Sequence, residues 1–205
     1  MTIDEGYIKY KSDWTKAPAP YPAAAIELER WRQPLFEADL IGHYEDLGIG
    51  FGNISLRCGK PGQFVISGTQ TGHLPKTDET HYSLVSAYDI ETNSVSCVGP
   101  AQASSEAMTH AAIYELDPAI GAIVHAHSQE LWRQHLNKLP TTNAAVAYGT
   151  PQMAMEFRRI FRETAFSRQG LAVMAGHDDG LISIGQTLQE AAEKMLELRE
   201  LQESD

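Results

Sequence analysis

The chain has 205 residues, of which 42% are apolar and 21% charged, and a formal net charge of −11. That is enough apolar chain for one α/β core, and the acidic balance excludes a basic nucleic-acid-binding surface. Two cysteines, Cys58 and Cys97, make no disulfide framework and fit a reducing, cytoplasmic setting; the first residues lack an apolar signal core, and no apolar run reaches membrane-spanning length.

Residues 1–24 read as an N-terminal arm, with Tyr7, Tyr10 and Trp14 ahead of Ala-Pro-Ala-Pro-Tyr-Pro. The prolines favour an extended path. The aromatic residues either pack on the domain (residues 25–205) or on a neighbouring subunit, or the segment is a loose tail. Residues 23–46 predict a helix with a stripe at Ile26, Leu28, Trp31, Leu35, Phe36 and Leu40, and with Pro34 as a point of kinking or division.

The segment from Gly48 to Arg57 then follows a helix and opens a strand. A dinucleotide loop runs in the opposite order, strand to helix, so NAD binding is rejected. Glycines here, with Asn53 as a side-chain donor, can turn N–H groups toward an anion or can simply make a turn. Phe64–His73 is a strand entering a second small-residue loop that contains Ser67, Gly68, Thr69, Thr71 and Gly72, and the same two readings apply. Residues 83–90 and 94–98 predict a β-hairpin.

Ser104–His127 is the centre of the chain. Ser104 or Ser105 is suited to cap a helix that Asp117-Pro118 ends, which places Glu106, His110 and Ile113 on one face. Ala119–His127 reads as a buried strand, and alternation puts His125 and His127 on the same side. Two such imidazoles can bind a borderline metal ion, or be a chance His-x-His pair; burying them at the end of an apolar strand costs free energy unless something binds them. Glu106 alone could be a solvated first-turn carboxylate, and His110 reads better as a hydrogen-bonded structural histidine.

Further along, 128–136 predicts a helix, 141–147 a short strand, and 152–164 a helix with Pro151 in its first turn. Residues 171–185 predict two strands with His177 at the turn between them. Thr187-Leu-Gln-Glu190 is a capping box opening a last helix to about Leu201. His177 changes the weighing of the pair, because three neutral imidazoles with an open fourth position make a catalytic zinc site.

In order, Gly52-Asn-Ile-Ser-Leu-Arg57, Ile66-Ser-Gly with Thr71-Gly72, Ser104–Tyr114, Ala122–His127, Gly149-Thr150 and Gly176-His177 form a set that resembles the class II aldolase/adducin family over about residues 26–200. The resemblance implies a three-layer α/β/α domain with a central, mostly antiparallel sheet, often a homotetramer. It implies Zn²⁺ or another divalent ion on His125, His127 and His177, with Glu106 as acid/base. It maps phosphate binding onto Asn53, Thr71, Gly72, Ser104 and Ser105. The implied function is a metal-dependent aldehyde-lyase acting on a small, phosphorylated keto-sugar through a metal-stabilised enediolate.

Several positions depart from the family pattern. Gly50 replaces a phosphate-binding threonine, the Ser67–Gly72 loop is longer and Ser128–Tyr148 is shorter, and Gly-His-Asp stands for Asn-His-Gly. No aromatic residue follows Phe166, so a late catalytic tyrosine is absent and an epimerase is disfavoured; Tyr148 reads as packing rather than its replacement. Two alternatives remain: a methylthioribulose-phosphate dehydratase-type lyase of the same family, and a non-catalytic adducin-like interaction domain, against which the intact ligand set argues.

Overall fold

The computed structural model describes residues 6–203. Residues 1–5 of the expected arm, and the last two of the chain, lie outside the described residues. In chain order the elements are β1 (Lys11–Lys16), α1 (Pro22–Glu37), β2 (Gly42–Tyr44), β3 (Ile49–Phe51), β4 (Asn53–Arg57), β5 (Phe64–Ser67), β6 (Tyr82–Asp89), β7 (Ser94–Gly99), α2 (Ala107–Tyr114), β8 (Ala122–His127), α3 (Gln129–His135), α4 (Pro151–Glu163), α5 (Phe166–Gln169), β9 (Leu171–Val173), β10 (Gly180–Gly185) and α6 (Leu188–Glu203).

Eight strands form one sheet in the order β1-β7-β6-β5-β4-β8-β10-β9, and β2 pairs with β3 separately. Every pairing in the large sheet is antiparallel except β1 with β7. Each face carries its own core. Phe64, Ile66, Ile123 and Ile182 pack with α2 and α4, whereas Ile54, Val65, Val124 and Leu181 pack with α1 and α6. Helices on both faces of a mostly antiparallel sheet give the three-layer α/β/α arrangement.

α2 is buried at all eight positions, so it has no solvent face and reads as a core helix rather than an amphipathic one. Its last carbonyls are held by Arg57, which donates to Tyr114 O at 2.7 Å and to Asp117 O at 3.3 Å and lies over the Tyr114 ring. A cation at that end also suits the helix dipole.

Three sequence expectations need correction. The helix expected over 23–46 ends at Glu37, because Asp39 turns into the left-handed region (φ 55°) and the N–H groups of Leu40 and Ile41 fold back onto Leu35 O. Pro34 sits inside α1 without dividing it. The strand expected over 141–147 is only an isolated bridge from Thr141 to Val173, followed by turns in which Asn143 Oδ1 takes the Ala145 N–H. The helix expected from Ser104 begins at Ala107; Ser104 Oγ accepts from Glu106 N at 3.2 Å, so it shapes the loop before the helix.

The arm is extended. Lys11–Lys16 adds a parallel edge strand, and Ile8 and Tyr10 join the core beneath α2.

Candidate metal centre and anion cradle

Strand alternation builds the first half of the site. Along β8, Ala122, Val124 and Ala126 enter the α1/α6 core while Ile123 enters the α2/α4 core. His125 and His127 continue the Ile123 row. β10 pairs with β8 so that Gly180 lies opposite His127 and Ile182 opposite His125, and the β9–β10 turn carries His177 over the same face. That turn is closed by His177 N to Met174 O and Gly180 N to His177 O. A Cβ on residue 180 would stand 2.8 Å from His177 Cδ2 and 3.3 Å from His125 Cε1, so the close approach of the rings requires glycine there.

The three rings converge through their Nε2 atoms. His125 Nε2 is 3.0 Å from His127 Nε2 and 3.2 Å from His177 Nε2. His125 Nδ1 lies 3.0 Å from Leu181 O, and a carbonyl can only accept, so that nitrogen carries the proton and a neutral His125 presents a bare Nε2 lone pair. His127 Nδ1 donates to the Tyr44 hydroxyl at 3.2 Å, which itself donates to Asp179 Oδ2 at 3.3 Å. The hairpin of β2 and β3 supplies Tyr44 and sets Phe51 beside His127, the two rings tilted at 35° with centroids 5.6 Å apart.

Burial pushes the His125 imidazole down to about 4, against the pull of the Leu181 carbonyl. Burial and the neighbouring imidazoles hold His127 and His177 well below the usual histidine range. Neutral imidazoles with lone pairs facing one another at such distances repel unless a cation lies between them. Two nitrogens each about 2.05 Å from one tetrahedral ion stand about 3.3 Å apart, close to the separations seen. The donor set therefore fits Zn²⁺ or a similar divalent ion.

Glu106, fully buried at the start of α2, faces this cluster with Oε1 3.8 Å from His177 Nε2. Neither of its oxygens has a hydrogen-bond partner. Burial pushes its carboxyl up to about 7, opposed by the nearby Thr109 hydroxyl and Lys9 ammonium. A carboxyl of that kind exchanges a proton near neutral pH. His110, one turn on, is not in the cluster: its Nδ1 lies 2.7 Å from Ser55 Oγ, which also meets the Tyr114 hydroxyl at 2.8 Å.

A small polar cradle adjoins the cluster. It is lined by Gly50, Gly52 and Asn53 from the first glycine loop, by Gly68–Gly72 from the second, by Ser104 and Ser105, and by Gly6 of the arm. All five residues expected to bind phosphate meet here. Among the described residues, no charged side chain lines the cradle. Asn53, opposite His125 in the β4–β8 register, is buried with Oδ1 unpartnered. Thr71 Oγ1 is committed to Gly68 O at 2.8 Å, so it can offer an incoming anion its backbone N–H but not its hydroxyl proton. Buried Arg32 pins the loop by donating to Thr71 O and Leu74 O, while pairing with Glu29 at 3.5 Å.

The family model for the class II aldolase and adducin N-terminal domain matches residues 40–204. The chain belongs to that family. Solved structures share its fold. YgbL from Escherichia coli, described as a putative aldolase/epimerase/decarboxylase, is 22% identical with a TM-score of 0.64, covering 87% of this chain and 86% of its own. The l-fuculose-1-phosphate aldolase of Thermus thermophilus is 20% identical at a TM-score of 0.61, covering 86% and 89%. A sugar-phosphate aldolase from Thermotoga maritima is 16% identical at 0.66, covering 89% and 93%. At these identities the likeness carries the class II aldolase fold, and the residues of this chain must carry the chemistry.

Four residues escaped sequence reasoning: Lys9, Tyr44, Phe51 and Asp179. Asp179 stood in the Gly-His-Asp-Asp-Gly run, two residues past His177, and was a findable neighbour. Tyr44 and Phe51 lie in three-residue strands too short for periodicity to reveal.

Proposed function

We propose that this protein is a zinc-dependent lyase of the aldolase type, acting on a small, phosphorylated keto-sugar. The observation that carries the reading is the convergence of three buried, neutral imidazoles on one point, with an unpartnered buried carboxylate alongside. His125, His127 and His177 would hold the ion. When bound, it would supply Lewis acidity toward a substrate carbonyl.

The chain's own residues would do the rest. Glu106 would take a proton from the substrate and return it at the reacting carbon, which its raised carboxyl suits near neutral pH. The cradle would hold the phosphate through backbone N–H groups, Asn53 and the loop before α2, where the dipole favours an anion. Asn53 and Ser105 each adjoin a member of the centre, His125 across the strands and Glu106 along the chain. One small substrate could therefore span both parts. Burial of the histidines and Glu106 would keep bulk water from the proton in transit.

The test is an assay of zinc-loaded protein on a panel of ketose phosphates, with an active aldolase as control. Cleavage to two carbonyl fragments that is lost in Glu106→Gln is expected. Dehydration without fragments would instead identify the dehydratase-type lyase, and metal-free protein with no turnover would favour an adducin-like module. A tetramer, as in the family, is part of the same reading and is checked by sedimentation. Cys58 and Cys97 are unpaired, in keeping with a reducing cytoplasm, and no helix among the described residues is long and apolar enough to cross a membrane.

A further inference from the structure

The arm does more than extend the sheet. Tyr10, buried, donates its hydroxyl to Ala103 O at 3.1 Å and Ser104 O at 2.9 Å. Gly6 lines the cradle, and its carbonyl accepts from Gln70 Nε2 at 3.3 Å. Between them, Tyr7 O accepts from the Tyr148 hydroxyl at 3.4 Å and Lys9 O from Asn93 Nδ2 at 3.0 Å. These anchors fix the backbone of Gly6–Tyr10 along the loop that opens α2.

The Lys9 side chain is thereby aimed inward. Its ammonium stands 3.7 Å from the centroid of the Tyr148 ring, and that ring lies 4.3 Å from the His177 ring. Its stem passes Gly149: a Cβ at that glycine would be 3.6 Å from Lys9 Cβ and 3.4 Å from Ser105 O. The charge is felt at both Glu106 and His177, lowering each. Lys9 thus stands where the cradle and the metal centre meet, next to a cradle that among the described residues has no charged lining side chain of its own.

We propose that Lys9, carried in by the N-terminal arm, is a substrate-binding cation that pairs with an anionic oxygen of the substrate between cradle and metal centre. Tyr148 holds the ammonium in place by its ring face. A cation there supplies the charge that the glycine loops lack, and its stem fills the gap beside Gly149. The proposal rests on the lyase reading for the location of the site, but not for the reaction.

The experiment measures binding of two probes, inorganic phosphate and glycolate, to the zinc-loaded full chain and to its Lys9→Met and Lys9→Arg variants. Glycolate carries no phosphate and can engage only the metal end. Lys9→Met keeps the stem and gives up the ammonium's contact with the Tyr148 ring, so its thermal midpoint should fall only slightly. It should bind at least one probe about tenfold more weakly, as expected for losing a charged hydrogen bond. The weakened probe tells which end of the substrate Lys9 meets. Lys9→Arg keeps the charge and should stay within about threefold of the parent.

Equal affinity of Lys9→Met and the parent for both probes would overturn the proposal. So would a Lys9→Arg as impaired as Lys9→Met, which would assign the effect to packing on Tyr148. If Lys9→Met loses affinity while no ketose phosphate is turned over, the lyase reading fails and the role of Lys9 stands.

Discussion

The histidine centre and the glycine cradle adjoin on one face of the sheet but are built by opposite means. The centre is made of side chains on strand ends and a helix start, buried at a cost that a bound ion would offset. The cradle is made largely of backbone, on loops whose glycines leave no room for anything else. The first should tolerate substitution structurally and lose its ligand. The second should lose its shape.

The largest expected effect tests the first half of that contrast. His125→Ala should leave the fold intact and lower divalent-ion affinity about a hundredfold or more, read as metal per chain after dialysis. Retention of one ion per chain by this variant would remove the basis for the centre.

Glu106→Gln comes next and has a definite sign in pH. In the metal-free protein the carboxyl is raised from 4.5 to about 7 by burial. The native state therefore holds this proton better than the unfolded chain. Its contribution is favourable below pH 4.5 and is lost as pH rises through about 7. Above that pH the glutamine variant should be more stable by something on the order of 3 kcal/mol, the gap closing on acidification. Denaturant melts at pH 5 and 8 measure it. The lowered histidines act in the other direction: their share of stability is present above 6.5 and is lost as pH falls through the folded value, about 4 for His125.

Gly72→Ala sharpens the other half. A Cβ there would stand 2.3 Å from Gly42 O and 2.8 Å from Phe51 O, both backbone atoms, so the loop must move. A loss of about 1–3 kcal/mol in stability is expected, together with weaker phosphate binding but unchanged metal content. The smallest effect is expected for Tyr44→Phe, which removes the bridge from His127 to Asp179. Metal affinity should fall about tenfold with little change in the thermal midpoint.

The same contrast explains what could be read from residues alone. His125 and His127 share a face by simple alternation, and the five residues that the family resemblance mapped onto phosphate lie in small-residue loops or, for Asn53, at the head of β4; the structure gathers each group. The central strand and helix were legible because β8 opens on an apolar β-branched run and Asp117-Pro118 closes the stretch that holds α2, while the layered sheet followed from the family resemblance. What was not legible depends on distant backbone. Asp39 ends α1 through a left-handed turn that no apolar stripe announces. Tyr44 reaches His127 only because a short hairpin folds over β8. Lys9 lies far along the chain from the residues it approaches, and a parallel edge pairing of Lys11–Lys16 with Ser94–Gly99 carries no local signal.

That edge strand has a practical side. Residues 6–16 lie outside the stretch matched by the family model, so starting the chain at α1 would look harmless. It would instead strip an outer strand, uncover Ala103 and Ser104, and take one wall from the polar cradle. A shortened protein of that kind would retain His125, His127, His177 and Glu106 yet lack Lys9 and be inert.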